Sequence, residues 1–365
     1  MGKLAWMALI PASAFISGPA WYNSMTWHDT RRGHFIMIID RGVLPALLAT
    51  VLFAIAEGIV QYLTNVSGIL QAYIFRIPVM FLIVILIVMI IQRSIPKLSN
   101  LKISAVFWRA VASGLNSLFL TISFGFSSSQ SWAYTLFFLH PIFAISYSAA
   151  IKKTLPSVDG WSAFGLMAFG IILFLSAAPS QCEDFSNIIT PELPKIILWL
   201  VTYVCPILAA ILFAMTNIIT NHIDEVNLRG RDGKEFTSLD LNYYSLLLGA
   251  IGCFVIWIAL ALKGIQLHLP TLNSEQDQYI ILDFLICAIV YVCGGLSSTH
   301  AFKITKDIAL ISALDLTIVI VSVPIDLWRR TICWSDLAGQ KGIALLAVAG
   351  GGFWLILAGR KKGLS

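Results

Sequence analysis

Uninterrupted apolar runs long enough to cross a bilayer constrain this chain more than any other feature. Ile77 to Ile91 and Ile251 to Leu262 carry no charged side chain, and their weakly polar flanks extend each to the roughly 20 residues that a spanning helix needs. Backbone groups in lipid must be satisfied within their own segment, and nothing here alternates apolar with polar residues as a barrel strand would. The expected fold class is an all-α integral membrane protein. Composition agrees: with 58% hydrophobic and 12% charged residues in 365 and a mean hydropathy of +0.85, the polar surface is too small to cover a soluble domain.

Spans are expected near residues 40–63, 69–92, 103–124, 129–151, 159–178, 196–221, 242–263, 279–302, 308–326 and 338–359, about ten helices in all. One set of connecting loops carries Arg93, Lys97 and Lys102, then Lys152 and Lys153, then Arg229, Arg231 and Lys234, then Lys303 and Lys306, and at the end Arg360, Lys361 and Lys362. That side is expected to face the cytoplasm. The opposite loops carry Glu183, Asp184, Glu192, Glu275 and Asp277, with Arg329 and Arg330 as the exception. Trp108, Trp132, Trp161, Trp199 and Trp328 near helix ends fit interfacial belts.

The formal net charge of +5 does not point to nucleic acid, because the basic residues are scattered through short loops. The six cysteines form no CxxC motif, so neither a metal nor a cofactor is expected. Cys182 and Cys333 fall in connecting segments on one side, where a disulfide depends on the distance between them. Residues 1–39 stand apart: Leu4 to Tyr22 is apolar but broken by Pro11 and Pro19 and followed by a polar stretch. A cleaved signal peptide, an extra helix, or an upstream start before Met25 or Met37 would each produce this pattern, and the last is the preferred reading.

The chain also repeats itself. Leu52-Phe53-Ala54-Ile55-Ala56-Glu57 recurs as Leu212-Phe213-Ala214-Met215-Thr216-Asn217, a shift of about 160 residues. From the third to the fifth span a shift of about 177 residues superimposes helix ends on those of the eighth to the tenth, and His222 to Leu241 supplies the difference. The expected organisation is a first five-helix repeat at 40–178, an external loop at 179–195 and a second repeat at 196–360. An odd number of helices per half inverts the second copy, and such halves can rock around a site near the midplane.

At the same shift Glu57 and Gln61 correspond to Asn217 and Asn221, so each copy places two polar residues four apart on one helical face. An ionisable group within a span is costly, which makes Glu57 the leading candidate as a ligand or proton site. Its structural alternative is an ion pair with Arg76 on the next helix. Asn116, Tyr134, His140, Tyr291 and Asp315 complete the candidate set. His140 precedes Pro141, so it is either part of a ligand or proton site or a neutral ring bonded to a nearby carbonyl. Asp315 needs a cation, a proton or water; the tyrosines stack on a ligand or pack. Arg109 either snorkels to cytoplasmic headgroups or binds phosphate or carboxylate, and His300 is a further intramembrane polar group.

With its helix number, the duplicated Leu-Phe-Ala segment, Leu139-His140-Pro141-Ile142-Phe143 and the run from Ala301 to Ala358, the chain resembles the drug/metabolite transporter superfamily, specifically the EamA-type ten-helix carriers. The resemblance implies two inverted five-helix repeats and export or exchange of a small metabolite through a cavity among the first, third, fourth, sixth, eighth and ninth helices. Where that family often carries a glutamate after the fourth and ninth helices, this chain has Lys152-Lys153 and Arg329-Arg330, so that residue's role does not transfer.

The expected function is secondary transport of a small metabolite, amino acid or drug-like solute across the cytoplasmic (inner) membrane by a monomer or homodimer, either coupled to protons or by exchange. The partners expected are that solute and the bilayer, with no nucleic acid. The competing classes are an intramembrane enzyme, which no HExxH or GxSxG motif supports, and a non-transporting receptor. The topology is tested with reporter fusions at Lys362, expected cytoplasmic, and within residues 181–191, expected external. The reverse result at either position contradicts it.

Overall fold

The computed structural model describes residues 42–126, 136–137, 139–143, 146, 158–177, 197, 200–265, 267, 274–304, 314–315, 317–328 and 334–362. The chain divides into Met1–Asp40 and Arg41–Ser365, and everything described belongs to the second unit. Tyr134, Cys182 and Cys333 lie outside the described residues, as does most of the expected fourth span.

The helices are α1 Val43–Ser67, α2 Ile69–Gln92, α3 Ser104–Phe126, α4 Val158–Ser176, α5 Cys205–Glu225, α6 Ser238–Leu262, α7 Glu275–Ile304, α8 Thr317–Trp328, the single turn α9 Trp334–Leu337, and α10 Gln340–Lys362. A π-helical turn, Leu200–Val204, leads into α5. Among the described residues there is no β-strand, only an isolated bridge between Arg229 and Glu235. Six segments are long and apolar enough to cross a membrane: Val43–Ser67, Ile69–Gln92, Ser104–Gly125, Leu200–Glu225, Ser238–Leu262 and Asp277–Ile304. The chain is a helical membrane protein.

Local chemistry sets the helix ends. A single residue, Gly68, separates α1 from α2 at φ 85° and ψ 153°, a conformation open essentially to glycine alone, and its N–H bonds Thr64 O. The start of α6 lies four residues before the expected position 242, because Asp240 is part of a capping box: its Oδ2 accepts from Thr237 N at 2.8 Å, and Thr237 Oγ1 accepts from Asp240 N at 3.1 Å. At its other end, α5 continues past the expected stop at 221 to Glu225, where Lys303 Nζ lies 3.4 Å from Asp224 Oδ1. The polar connection is therefore 226–237, shorter than the expected His222 to Leu241. It is held to the preceding turn, Leu98–Lys102, by Asn100, which accepts from Arg231 N at 2.9 Å and donates to Tyr244 Oη at 3.1 Å.

The helices pack in a definite scheme: α1 against α7, α3 against α5, α2 against α6, and α4 against α10. Buried Val84, Val88 and Tyr244 fill the α2–α6 region, whereas Leu82, Leu86 and Ile90 on the other side of α2 are exposed, as lipid-facing residues are. Without water to drive apolar surfaces together, close backbone approach between small residues does much of the work of helix association. The α4–α10 contact shows this: a Cβ on Gly170 would stand 2.7 Å from Ala344 O, and one on Gly351 would stand 2.8 Å from Ala163 O.

Gly170→Ala therefore forces α4 and α10 apart and is expected to cost about 1–3 kcal/mol. Gly165→Ala, where nothing lies within 4 Å, is expected to be neutral. Reversible unfolding in mixed micelles checks both; equal stabilities would show that this contact is not tight.

Candidate substrate cavity

A cavity of about 80 Å³ lies among α1, α2, α3, α5, α6 and α7, large enough for several waters or a small polar group. Its walls follow helical periodicity. From α3 come Arg109, Ser113, Asn116 and Ser117; from α5, Phe213, Thr216 and Asn217; from α6, Asn242, Ser245 and Gly249; and from α7, Tyr291, Gly295, Ser298 and Thr299. Each set recurs at three- and four-residue spacing, so each is one face of its helix. The remaining wall is apolar, with Phe53 from α1 and Ile77, Met80 and Val84 from α2.

Arg109 is 3% exposed and reaches across to three neighbouring helices. Its Nε donates to Thr220 Oγ1 at 2.7 Å, Nη1 to Leu241 O at 2.7 Å and Ser245 Oγ at 2.8 Å, and Nη2 to Thr299 Oγ1 at 3.0 Å. Two of these hydroxyls are oriented by their own helices: Thr220 donates to Thr216 O at 2.7 Å and Ser245 to Leu241 O at 3.0 Å. With its proton directed to the carbonyl one turn back, each oxygen keeps lone pairs for the guanidinium. Asn242 Nδ2 donates to Thr299 Oγ1 at 2.9 Å and ties α6 to α7 beside it.

Two of the anticipated amides also line this space. Asn116 is 7% and Asn217 3% exposed, and Asn116 Oδ1 and Asn217 Nδ2 have no hydrogen-bond partner. A buried amide atom left unbonded costs free energy unless water or a ligand completes it. Tyr291 joins them from α7, stacking edge-on against Phe53 at 5.2 Å.

The structure places Glu57 elsewhere than the cavity wall. At 2% exposure it faces Arg76, itself 1% exposed, with Oε2 3.7 Å from Nη1. Arg76 Nη2 donates to Ser117 Oγ at 3.1 Å and Thr121 Oγ1 at 2.7 Å, and its Cζ lies 5.0 Å from the Tyr291 ring centre. The pair thus joins α1 and α2 to α3 and α7, one layer behind Ser117 and Tyr291. Gln61 is buried on α1 outside the cavity wall, and Asn221 Nδ2 donates to Phe302 O at 3.2 Å, which fastens α5 to α7.

His140 and Asp315, assigned independently from sequence, meet: Nε2 lies 3.3 Å from Oδ2, while Nδ1 lies 3.2 Å from Phe137 O. Both the carbonyl and the carboxylate contact are therefore present. The ring packs edge-on against Phe213, 4.9 Å away, and Phe213 lines the cavity. His140 and Asp315 so form a second polar pair one aromatic side chain from the cavity.

Sequence reasoning missed the hydroxyls, namely Ser113, Ser117, Thr121, Thr216, Thr220, Ser245, Ser298 and Thr299, and underrated Arg109. Arg109 does not snorkel; it is buried in a hydroxyl cage. The signal was present in the spacing of Arg109, Ser113, Asn116 and Ser117 on one face of an otherwise apolar helix.

No family model and no curated protein matches the chain. Solved structures do match in fold. One, described only as a crystal structure of a protein, superposes with a TM-score of 0.54 at 13% identity, covering 88% of this chain and 97% of its own. At that identity the likeness is one of fold alone.

The Glu57–Arg76 geometry makes a specific prediction. Removing one partner of a buried pair strands the other charge, so Glu57→Gln is expected to destabilise by about 3–5 kcal/mol, and the double variant Glu57→Gln with Arg76→Met to recover much of that loss. A thermodynamic cycle measured in detergent checks the coupling. Additive losses would show that the two side chains do not act as a pair.

Proposed function

We propose that this protein is a secondary carrier that moves a small polar solute across the cytoplasmic membrane by alternating access, built as ten spanning helices in two inverted five-helix repeats. The observation that carries this reading is the cavity. It is lined by polar faces of α3, α5, α6 and α7, and Asn116 Oδ1 and Asn217 Nδ2 have no hydrogen-bond partner there. Both residues line open space, where a solute can complete these atoms and leave them again.

The packing scheme supports the repeat. Exchanging α1 with α5, α2 with α6, α3 with α7 and α4 with α10 turns the α1–α7 contact into α5–α3 and leaves α2–α6 and α4–α10 unchanged. All four contacts are present. This is the pattern a pseudo-two-fold axis between halves generates, and it runs through the cavity-lining helices. The likeness in fold to solved structures is compatible with the same reading and says nothing of substrate.

For coupling, the His140–Asp315 pair is the leading proton-handling candidate, with Glu57 assigned to holding the helices together. In proteoliposomes, a panel of metabolites should reveal saturable flux of at least one solute. A pH gradient should drive that flux if coupling is to protons, and His140→Gln should then remove the pH drive while leaving solute exchange. Conversion of solute to a new product, or the absence of saturable flux across the whole panel, would contradict the carrier reading.

A further inference from the structure

We propose that the central cavity binds a solute bearing an anionic oxygen, a carboxylate or phosphate, with Arg109 as its anchoring cation. The proposal rests on the carrier reading only in taking the bound solute to be the transported one.

Two buried guanidinium groups differ in their counter-charge. Arg76, 1% exposed, faces Glu57 at 3.7 Å. Arg109, 3% exposed, has no carboxylate within ion-pair distance among the described residues. Its four hydrogen bonds go to three hydroxyls and one carbonyl, all neutral. Neutral dipoles solvate a cation but do not cancel its charge, and arginine does not release its proton to escape burial. An uncompensated positive charge therefore borders the cavity.

An amide at a repeat position stands in the same cavity wall as Arg109. At the shift that superimposes the two Leu-Phe-Ala segments, Asn217 stands where the first half has Glu57. Glu57 meets Arg76 within the first half, whereas Asn217, from the second half, lines the same cavity as Arg109 of α3. Asn217 Nδ2 is an unbonded donor 97% buried, which suits an anionic oxygen, and Asn116 Oδ1 is an unbonded acceptor suited to a hydroxyl or ammonium elsewhere on the solute. A cationic solute would be repelled from this space, and a neutral one would leave the guanidinium without a counter-charge.

The grip has a particular character. Protein partners take one Nε, two Nη1 and one Nη2 contact, so a single Nη2 N–H is left for the solute. Bidentate recognition is ruled out, and charge rather than guanidinium shape supplies the attraction. A lysine at this position therefore keeps part of the function, unlike at a bidentate site.

The test uses the full chain in detergent, with apparent Tm measured in inorganic phosphate, succinate or glycerol 3-phosphate against glycerol and choline at matched ionic strength. At least one anion is expected to raise Tm by about 2 °C or more near saturation, with no effect of glycerol or choline. Arg109→Lys should retain a reduced shift, and Arg109→Gln should lose it. Because Arg109 also ties α3 to α5, α6 and α7, a second variant guards against misfolding. Asn217→Asp leaves every Arg109 bond in place, should raise the basal Tm by supplying the missing carboxylate, and should abolish the anion shift.

Absence of a shift with all three anions, a shift unchanged in Asn217→Asp, or stabilisation by glycerol or choline instead would overturn the proposal. Flux of the same solutes in proteoliposomes separates it from the carrier reading. Arg109-dependent binding without flux retains the anion site and removes the carrier; saturable flux of only a neutral or cationic solute does the opposite.

Discussion

Two guanidinium groups within a membrane-spanning bundle dictate much of the surrounding structure. Neither is exposed at the protein surface, so neighbouring helices must deliver oxygen atoms to them. Around Arg76 those atoms come from Glu57, Ser117 and Thr121; around Arg109 they come from Thr220, Leu241, Ser245 and Thr299. The hydroxyls are held ready by back-bonding to their own helices, as Thr121 does to Ser117 O at 2.7 Å. Moving any of these helices far from its neighbours would leave a cation without acceptors, which is why α3, α5, α6 and α7 meet around one centre.

The two centres differ in one respect that organises the functional proposal. With Glu57 the first is internally neutral, and its role is cohesion between α1 and α2 and the helices behind them. The second lacks an anion among the described residues and borders the cavity, which Asn217 also lines. In the proposed carrier, closing the site around an anion would complete the second centre in the way Glu57 completes the first, which gives the solute a direct physical role in bringing the halves together.

Much of the fold was legible in the sequence because lipid leaves few alternatives: α2 spans the expected residues 69–92, and α4 departs from expectation by two residues or fewer at each end. The errors fall where a polar residue serves a helix rather than a loop. Asp240 reads as a loop charge until its capping box with Thr237 is seen, and Asp224 reads the same way until Lys303 meets it. For the site, intramembrane cost drew attention to Glu57, His140 and Asp315, and the alternative reading of the first, an ion pair with Arg76, is the one observed. It did not separate a charge met by a carboxylate from one met only by neutral groups, because the partners come from distant segments. Ser and Thr carry little hydropathy signal, so the cage around Arg109 was invisible until the helices were assembled.

The central claim is that this cavity is a solute site opening to either side of the membrane in turn. Its most direct test is accessibility at Asn116→Cys, in a chain whose six native cysteines have been replaced, using a membrane-impermeant thiol reagent applied from each side separately. The account predicts labelling from both sides, slowed from both by the transported anion. Labelling from one side only, or from neither, with no effect of any solute, would contradict it.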